Sequence, residues 1–510
     1  MRRKTLVVHA LSQGLGLVAR KIRRLFIANR GEIAVRIIRT CRRLGIETCA
    51  GYSAADRQAL FVREADFSVE LGPAAARDSY LNGQRIIQAA LHLRADAIHP
   101  GYGFLSENAD FARQVADAGL IFVGPSPETI ARMGDKIQAR QEMEKIGVPV
   151  VPGSTANQDL ALEARRIGYP VLIKAARGGG GRGMRIVEKE SDLLEAVQSA
   201  EREALSAFGD GSVFMEKYIV KPRHVEVQIL GDAHGNCIHL FERDCSIQRR
   251  HQKLIEESPA PGLPEKVRRE VLENALSAVR SLNYQNAGTV EFVYSPADET
   301  CYFLEINTRL QVEHPVTELV TGLDLVELQI RIAEGFSLKE LNPEARGHAV
   351  EVRLNAEDPE QNFLPQSGTV HLMELPGLPG IRLDSGIESG SQVSVYYDSM
   401  LAKLIAWGEN RSEALNRLSL ALESLCILGI RHNGPFLRTL IDHPAFRAGE
   451  VHTGFLSSHF PAGYAPESRP REESLAATAA ALLHATNARY RAQPLSGVWA
   501  LYPSFEIWKT

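Results

Sequence analysis

Residues 289–294 read Thr-Val-Glu-Phe-Val-Tyr and residues 301–307 read Cys-Tyr-Phe-Leu-Glu-Ile-Asn, two strand-like runs joined by the turn Ser-Pro-Ala-Asp-Glu-Thr. Strand side chains alternate faces, so a hairpin fixes which ones meet. With Tyr294 beside Tyr302, Glu291 falls directly opposite Glu305. Like charges across a ladder destabilise it. From Glu305 the alternation continues: Glu305, Asn307, Arg309, Gln311 and Glu313 fall on one side, and Ile306, Thr308, Leu310 and Val312 on the other. A solvated edge strand is the bland reading. Facing carboxylates are better explained as a platform for a hard divalent cation, with Asn307 as a third oxygen donor, because Mg²⁺ is usually held by one or two carboxylates plus substrate phosphates. Arg309 and Gln311 then reach a second anion, and Glu313 is available as a base.

The segment 171–187 carries a glycine loop, Gly178, Gly179, Gly180, Gly181 and Gly183, preceded by Lys174 and flanked by Arg177, Arg182 and Arg185. It contains a literal G-x-G-x-x-G, but a strand follows it and not a helix, so neither a Rossmann turn nor a P-loop fits. A glycine loop between two strands is a flap whose backbone N–H groups close over phosphates; the alternative is a floppy hairpin tip. The basic cluster in 242–253, ending in Gln248-Arg-Arg-His251-Gln-Lys253, lacks the interleaved aromatics of a nucleic-acid patch and is expected to serve against phosphate as well.

Around this core, strand and helix patterns alternate from residue 24 to 124, with a helix from Glu32 to Leu44 stopped by Gly45 and a Ser126-Pro127 helix start. That is a doubly wound parallel α/β unit. The middle third reads as antiparallel α+β, with hairpins at 170–187 and 288–307 and two strands in 213–230. Residues 357–460 mix short strands with a helix at 411–426. An Ala-rich helical stretch at 472–492 precedes Trp499 and Trp508, which reads as the opening of a further domain. Repeats of solenoid period are absent.

A length of 510 residues implies two to four domains at about 100–200 residues each. The net charge of −4 gives no overall pull toward nucleic acid, so any anion site is local. No apolar run approaches the roughly 20 residues that cross a bilayer. The six cysteines form no Cys-x-x-Cys pair, which argues for a reducing compartment. Residues 1–31 contain no Asp or Glu and several Arg and Lys, as in a mitochondrial transit peptide, although a basic bacterial leader or an early start codon explains them too.

These strings, with Ile27-Ala-Asn-Arg-Gly-Glu32, His99 to Asn108, Met133-Gly-Asp-Lys136, Met215-Glu-Lys-Tyr218, Arg223-His-Val-Glu226 and Tyr397-Asp-Ser-Met400, are those of a known family. The sequence resembles the ATP-grasp biotin carboxylases, most closely the α subunits of acyl-CoA carboxylases of the methylcrotonyl-CoA type. The resemblance implies a basic extension at 1–23, an N-terminal domain at 24–140, an ATP-grasp domain at 141–356 with its lid at about 150–220, a C-terminal domain at 357–460, and a tail at 461–510. It implies that ATP phosphorylates bicarbonate and that CO₂ passes to biotin. Lys136 and Lys174 would bind the phosphates of ATP; Glu216, Lys217 and Ile219 the adenine; His224 and Gln248 the ribose; with His251 near the phosphates. Glu291, Glu305 and Asn307 would hold Mg²⁺ or Mn²⁺, two ions per site. Lys253, Arg309, Gln311 and Val312 would bind bicarbonate, Glu313 would take its proton, and Arg353 would stabilise the biotin enolate. Expected partners are a biotin carrier domain and a carboxyltransferase β subunit, in a homodimer or larger hetero-oligomer, in the mitochondrial matrix or a bacterial cytoplasm. The carrier motif Ala-Met-Lys-Met is absent from this sequence, so biotin is expected on another chain, or the chain is a shortened product; the rival is a non-catalytic assembly subunit. A carbamoyl phosphate synthetase would have no use for Arg353 or the Tyr-Asp-Ser-Met string.

Overall fold

The structure, a computed structural model, describes residues 20–154, 159–175, 184–208 and 211–465. The glycine loop 178–181, the side chain of Lys136, residues 1–19 and the Ala-rich 472–492 stretch lie outside the described residues. The chain separates into a unit Met1–Ala462 and a second piece Gly463–Thr510, and all the described strands and helices belong to the first.

The N-terminal part is a five-stranded parallel sheet in the order Phe67–Gly72, Glu47–Ser53, Arg24–Ile27, Ala97–His99, Ile121–Phe122. The helix Gly31–Leu44 buries Ile33, Ile37, Ile38 and Cys41 against it and ends where Gly45 adopts φ 70°, a left-handed conformation that glycine tolerates. Ser126 caps the helix Pro127–Gly134 by accepting from the Thr129 N–H. The short helix Leu60–Glu64 and the strand Phe67–Gly72 are additions to the expected pattern. That strand lies at the sheet edge, half exposed, which weakens its apolar signal.

The central layer is an eight-stranded antiparallel sheet, ordered Thr300–Asn307, Asn286–Ser295, Arg223–Gly231, Cys237–Arg249, Gln252–Ser258, His348–Asn355, Met400–Gly408, Ile381–Ser385. One face packs on the helix Glu265–Ser281 through Val267, Val271, Ala275 and Ala278. The sheet passes without a break from the hairpin to strands beyond residue 357. A separate three-stranded sheet, Arg185–Val187, Val171–Ala175 and Val213–Lys217, brackets the glycine loop. The two strands expected within 213–230 therefore belong to different sheets.

A buried ion pair fastens the central sheet to the helices after it. Glu257 accepts from His348 at 2.7 Å and from Arg411 at 2.6 Å. Burial pushes its carboxyl up, but His348 and Arg411 outweigh this and bring it from 4.5 down to about 2. A carboxyl whose folded pKa is depressed stabilises the fold above its unfolded value and loses that stabilisation as pH falls toward the folded one. The stability gap between wild type and Glu257→Gln should therefore narrow by about 2 kcal/mol between pH 5 and pH 3, read by chemical denaturation. A pH-independent gap would refute the linkage.

The hairpin register yields both a confirmation and a correction. Glu291 does stand opposite Glu305, but Tyr294 pairs with Cys301 and Tyr302 with Val293. A register shift between Glu291 and Phe292 reconciles the two, with Leu304 as the extra residue, 37% exposed. The bulge switches faces. Before it Cys301 and Phe303 enter the core; after it Ile306 does, which frees Glu305 and Asn307 for the opposite face. The extended run also stops at Asn307: residues 308–313 form a loop and turn, and Glu313 is the N-cap residue of the helix His314–Thr321. The alternation through residue 313 is thus not one strand.

Candidate active site

The face released by the bulge is ionic. Glu291 lies opposite Glu305 on one side and opposite Glu226 on the other. Lys253, from the strand Gln252–Ser258, reaches into this group and donates to Glu226 at 2.6 Å, Glu291 at 3.0 Å and Glu313 at 2.6 Å. Arg243, fully buried, donates to Glu226 at 2.6 Å. His224 Nε2 lies 3.1 Å from Glu291 Oε2, and Gln311 donates to Glu291 Oε1 at 3.1 Å. Arg353 donates to Glu313 Oε2 at 2.9 Å and to Glu256 Oε1 at 2.6 Å. The Cys245 thiol lies 3.9 Å from Glu313 Oε1.

These contacts set the protonation states. Burial lowers the Lys253 ammonium, but Glu226, Glu291 and Glu313 overcome that and hold it well above its ordinary range. Burial and Glu226 raise Glu313, yet Lys253, Arg353 and Arg243 leave it below the ordinary carboxylate value, an ionised proton acceptor. Burial raises Glu291, and Lys253 with His224 pulls it down. His224, lowered by burial and raised by Glu291, ends at about 9, an imidazolium at neutral pH.

The compensation of Glu291 by Lys253, His224 and Gln311 corrects the expectation that a metal ion alone makes its position tolerable. The donor set still suits a hard cation: the Glu291 and Glu305 carboxylates are opposed, and the amide of Asn307 follows on the same face.

The other expected residues divide. Arg309 is held by Glu107 at 2.8 Å and donates to Gln311 at 3.1 Å and Asn307 at 3.2 Å, so these groups do meet. The Val312 carbonyl accepts from Lys403 at 2.9 Å. In the three-stranded sheet Lys174 pairs with Glu216, which Arg140 also contacts at 2.7 Å. Lys217 pairs with Asp298 at 3.0 Å, and Ile219 is buried. Gln248 Nε2 lies 3.3 Å from His224 Nδ1. The basic cluster disperses: Arg249 stacks on Phe363 at 4.1 Å and Arg250 and His251 sit exposed in a turn, while Arg243 and Lys253 enter the site. Tyr397 donates to the Ala74 carbonyl at 2.6 Å and lies beneath Arg30, so it docks the loop against the N-terminal sheet.

Sequence reasoning gave no role to Glu107, Glu226, Arg243, Glu256 or Lys403. The signal for Glu226 was the alternation of Val225, Val227 and Ile229 with His224, Glu226 and Gln228, which puts it on one face with His224; that Glu226 and Gln228 are buried there is visible only in the structure.

Three family models match the chain in succession: the biotin carboxylase N-terminal domain over residues 21–130, the ATP binding domain of the carbamoyl-phosphate synthase L chain over 135–341, and the biotin carboxylase C-terminal domain over 351–458. Biotin carboxylase 1 of Bacillus subtilis is 50% identical over 86% of this chain and 99% of its own length. The chain belongs to the biotin carboxylase family. It is an ATP-grasp enzyme of the ligase class. The mitochondrial methylcrotonoyl-CoA carboxylase subunit alpha of Dictyostelium discoideum is 49% identical over 92% of this chain, which spans 68% of that relative's length. Among solved structures, the biotin carboxylase domain dimer of Hydrogenobacter thermophilus 2-oxoglutarate carboxylase, in complex with MgADP, ADP and bicarbonate, matches with a TM-score of 0.80 and 43% identity, covering 88% of this chain and 100% of that one. As in other biotin carboxylases, parallel, ATP-grasp and C-terminal parts follow one another here.

Proposed function

We propose that the chain carboxylates biotin with bicarbonate at the expense of ATP, through carboxyphosphate, as the biotin carboxylase component of an acyl-CoA carboxylase. The observation that carries this reading is Glu313, buried and ionised, lodged between Lys253 and Arg353. Bicarbonate is a poor nucleophile until it loses its proton, and a fixed carboxylate accepts it. Arg309, Gln311, the Val312 backbone and Lys253 surround that base and hold the anion. With its proton gone, the bicarbonate oxygen attacks the terminal phosphate of ATP, the bond from that phosphorus to the bridging oxygen breaks, and ADP leaves as carboxyphosphate forms. That phosphate is positioned by Lys136, Lys174, His251 and the loop 178–181, while Glu216, Lys217 and Ile219 hold the adenine and His224 and Gln248 the ribose. Arg353 then faces the enolate of biotin, for which a guanidinium is a permanent cation. Glu291, Glu305 and Asn307 would hold Mg²⁺ or Mn²⁺, two ions per site, which would supply positive charge against the phosphates.

The likeness to methylcrotonoyl-CoA carboxylase subunits supports that acyl-CoA class, with biotin on a carrier domain, a carboxyltransferase β subunit as partner and a dimeric or larger assembly. The same likeness and the acid-free residues 1–31 support a mitochondrial matrix location; the Bacillus relative keeps a bacterial cytoplasm as the alternative. ATP hydrolysis should require bicarbonate and rise about tenfold or more with free biotin. Nucleotide binding without biotin-dependent turnover would favour the assembly-subunit reading.

A further inference from the structure

Behind Arg353 lies a carboxyl that the proposed reaction does not use. Glu351 stands two residues before Arg353 in the strand His348–Asn355 and directly opposite Glu256 across the ladder. Both are 0% exposed. Among the described residues neither Glu351 oxygen has a hydrogen-bond partner, and Glu256 Oε2 has none either. Buried polar groups are almost always paired, so two facing carboxyls with three orphaned oxygens demand a missing hydrogen.

The surrounding charges say where it belongs. Arg353 is already committed to Glu256 Oε1 and Glu313 Oε2. Lys403, opposite Arg353 on the next strand, is spent on the Val312 carbonyl at 2.9 Å and on Glu32 at 3.1 Å. Lys253 is taken by Glu226, Glu291 and Glu313. From the N-terminal part Tyr102 donates to Glu32 at 2.6 Å. Asp384, opposite Lys403, is paired with Arg382. None of these gives Glu351 a hydrogen bond.

We infer that Glu256 and Glu351 form an acid pair sharing one proton, carried on Glu351, and that the pair is a positioning device for Arg353. One proton converts an orphaned acceptor into a donor and leaves Glu256 ionised, which holds the guanidinium at Nε and turns its other edge to Glu313. Burial, together with the neighbouring carboxyls, raises both acids, Glu256 against the pull of Arg353 and Glu351 against that of Lys403 and Arg353, and Glu351 is lifted well above its usual range. This inference takes its functional meaning from the reading of Arg353 as the enolate cation; the proton itself does not.

Infrared difference spectra of the full chain at pH 7, wild type minus Glu351→Gln, test the proton directly. The carbonyl band of a protonated carboxyl, shifted in D₂O, is expected; carboxylate bands in its place would overturn the inference. Because no turnover is involved, the result stands or falls apart from the proposed activity. The positioning role is read from Glu256→Gln, which should lower biotin-dependent kcat about a hundredfold with the KM for ATP unchanged, the pattern of a displaced guanidinium. A parallel loss of ATP affinity would show general damage and reject positioning. Glu351→Ala should lower the same kcat, and Glu351→Gln, isosteric with the neutral acid, should restore it; a glutamine variant no better than alanine would reject the shared proton.

Discussion

Glu313→Gln should abolish turnover, by about a thousandfold or more, while the KM for ATP stays within about twofold, because a positioned general base contributes roughly 10² to 10⁴ and its amide analogue keeps the shape. The variant is informative because of what surrounds it. Lys253 keeps Glu226 and Glu291, and Arg353 keeps Glu256, so each cation retains a carboxylate when Glu313 becomes neutral. The packing survives and only the proton acceptor is lost. Steady-state bicarbonate-dependent ATP hydrolysis, with nucleotide binding measured separately, checks it. A rate within tenfold of wild type would remove Glu313 from the chemistry.

Lys253→Met has the opposite character. It removes the cation shared by Glu226, Glu291 and Glu313, all buried, and leaves mutually repelling carboxylates where no water can solvate them. Breaking one partner from a buried ionic group costs about 3 to 5 kcal/mol, and here three carboxylates lose the same partner. A marked drop in denaturation midpoint is therefore expected together with lost activity. Acidification should lessen the deficit relative to wild type, since protonating a carboxylate removes the repulsion and wild-type Lys253 keeps its carboxylates ionised. A variant as stable as wild type at neutral pH would mean that the ammonium is not what holds the group together.

The hairpin shows how far sequence carries. The opposition of Glu291 and Glu305 holds only through the bulge, since a period of two counted from Tyr294 and Cys301 would set Glu291 opposite Leu304; the turn was legible from local composition. The anchor was not, because Leu304 looks like any strand leucine and only its exposure reveals a bulge. Glu313, expected at the end of a strand, reaches the ionic group as a helix N-cap residue instead. Lys253 reaches Glu226, and shares Glu313 with Arg353, because the strands Arg223–Gly231, Gln252–Ser258 and His348–Asn355 fall within four consecutive positions of the sheet, an order that no spacing in the chain encodes. Lys403 was invisible for another reason. In Leu-Ala-Lys-Leu-Ile-Ala a lysine reads as a side chain reaching for solvent, and it is fully buried. The parallel sheet, whose strands and helices alternate with clear stops, was legible nearly throughout.

The bulge at Leu304 has a bearing on how this segment can change over generations. Exchanging Leu304 for another residue alters little, because its side chain points outward. Deleting its codon, or adding one beside it, would rotate everything downstream by half a turn, sending Glu305 and Asn307 toward the oil and Ile306 toward the ionic face. Residues 300–307 should therefore drift in spelling while keeping their count, so that gaps in a comparison of related genes fall in the turn before them and never within.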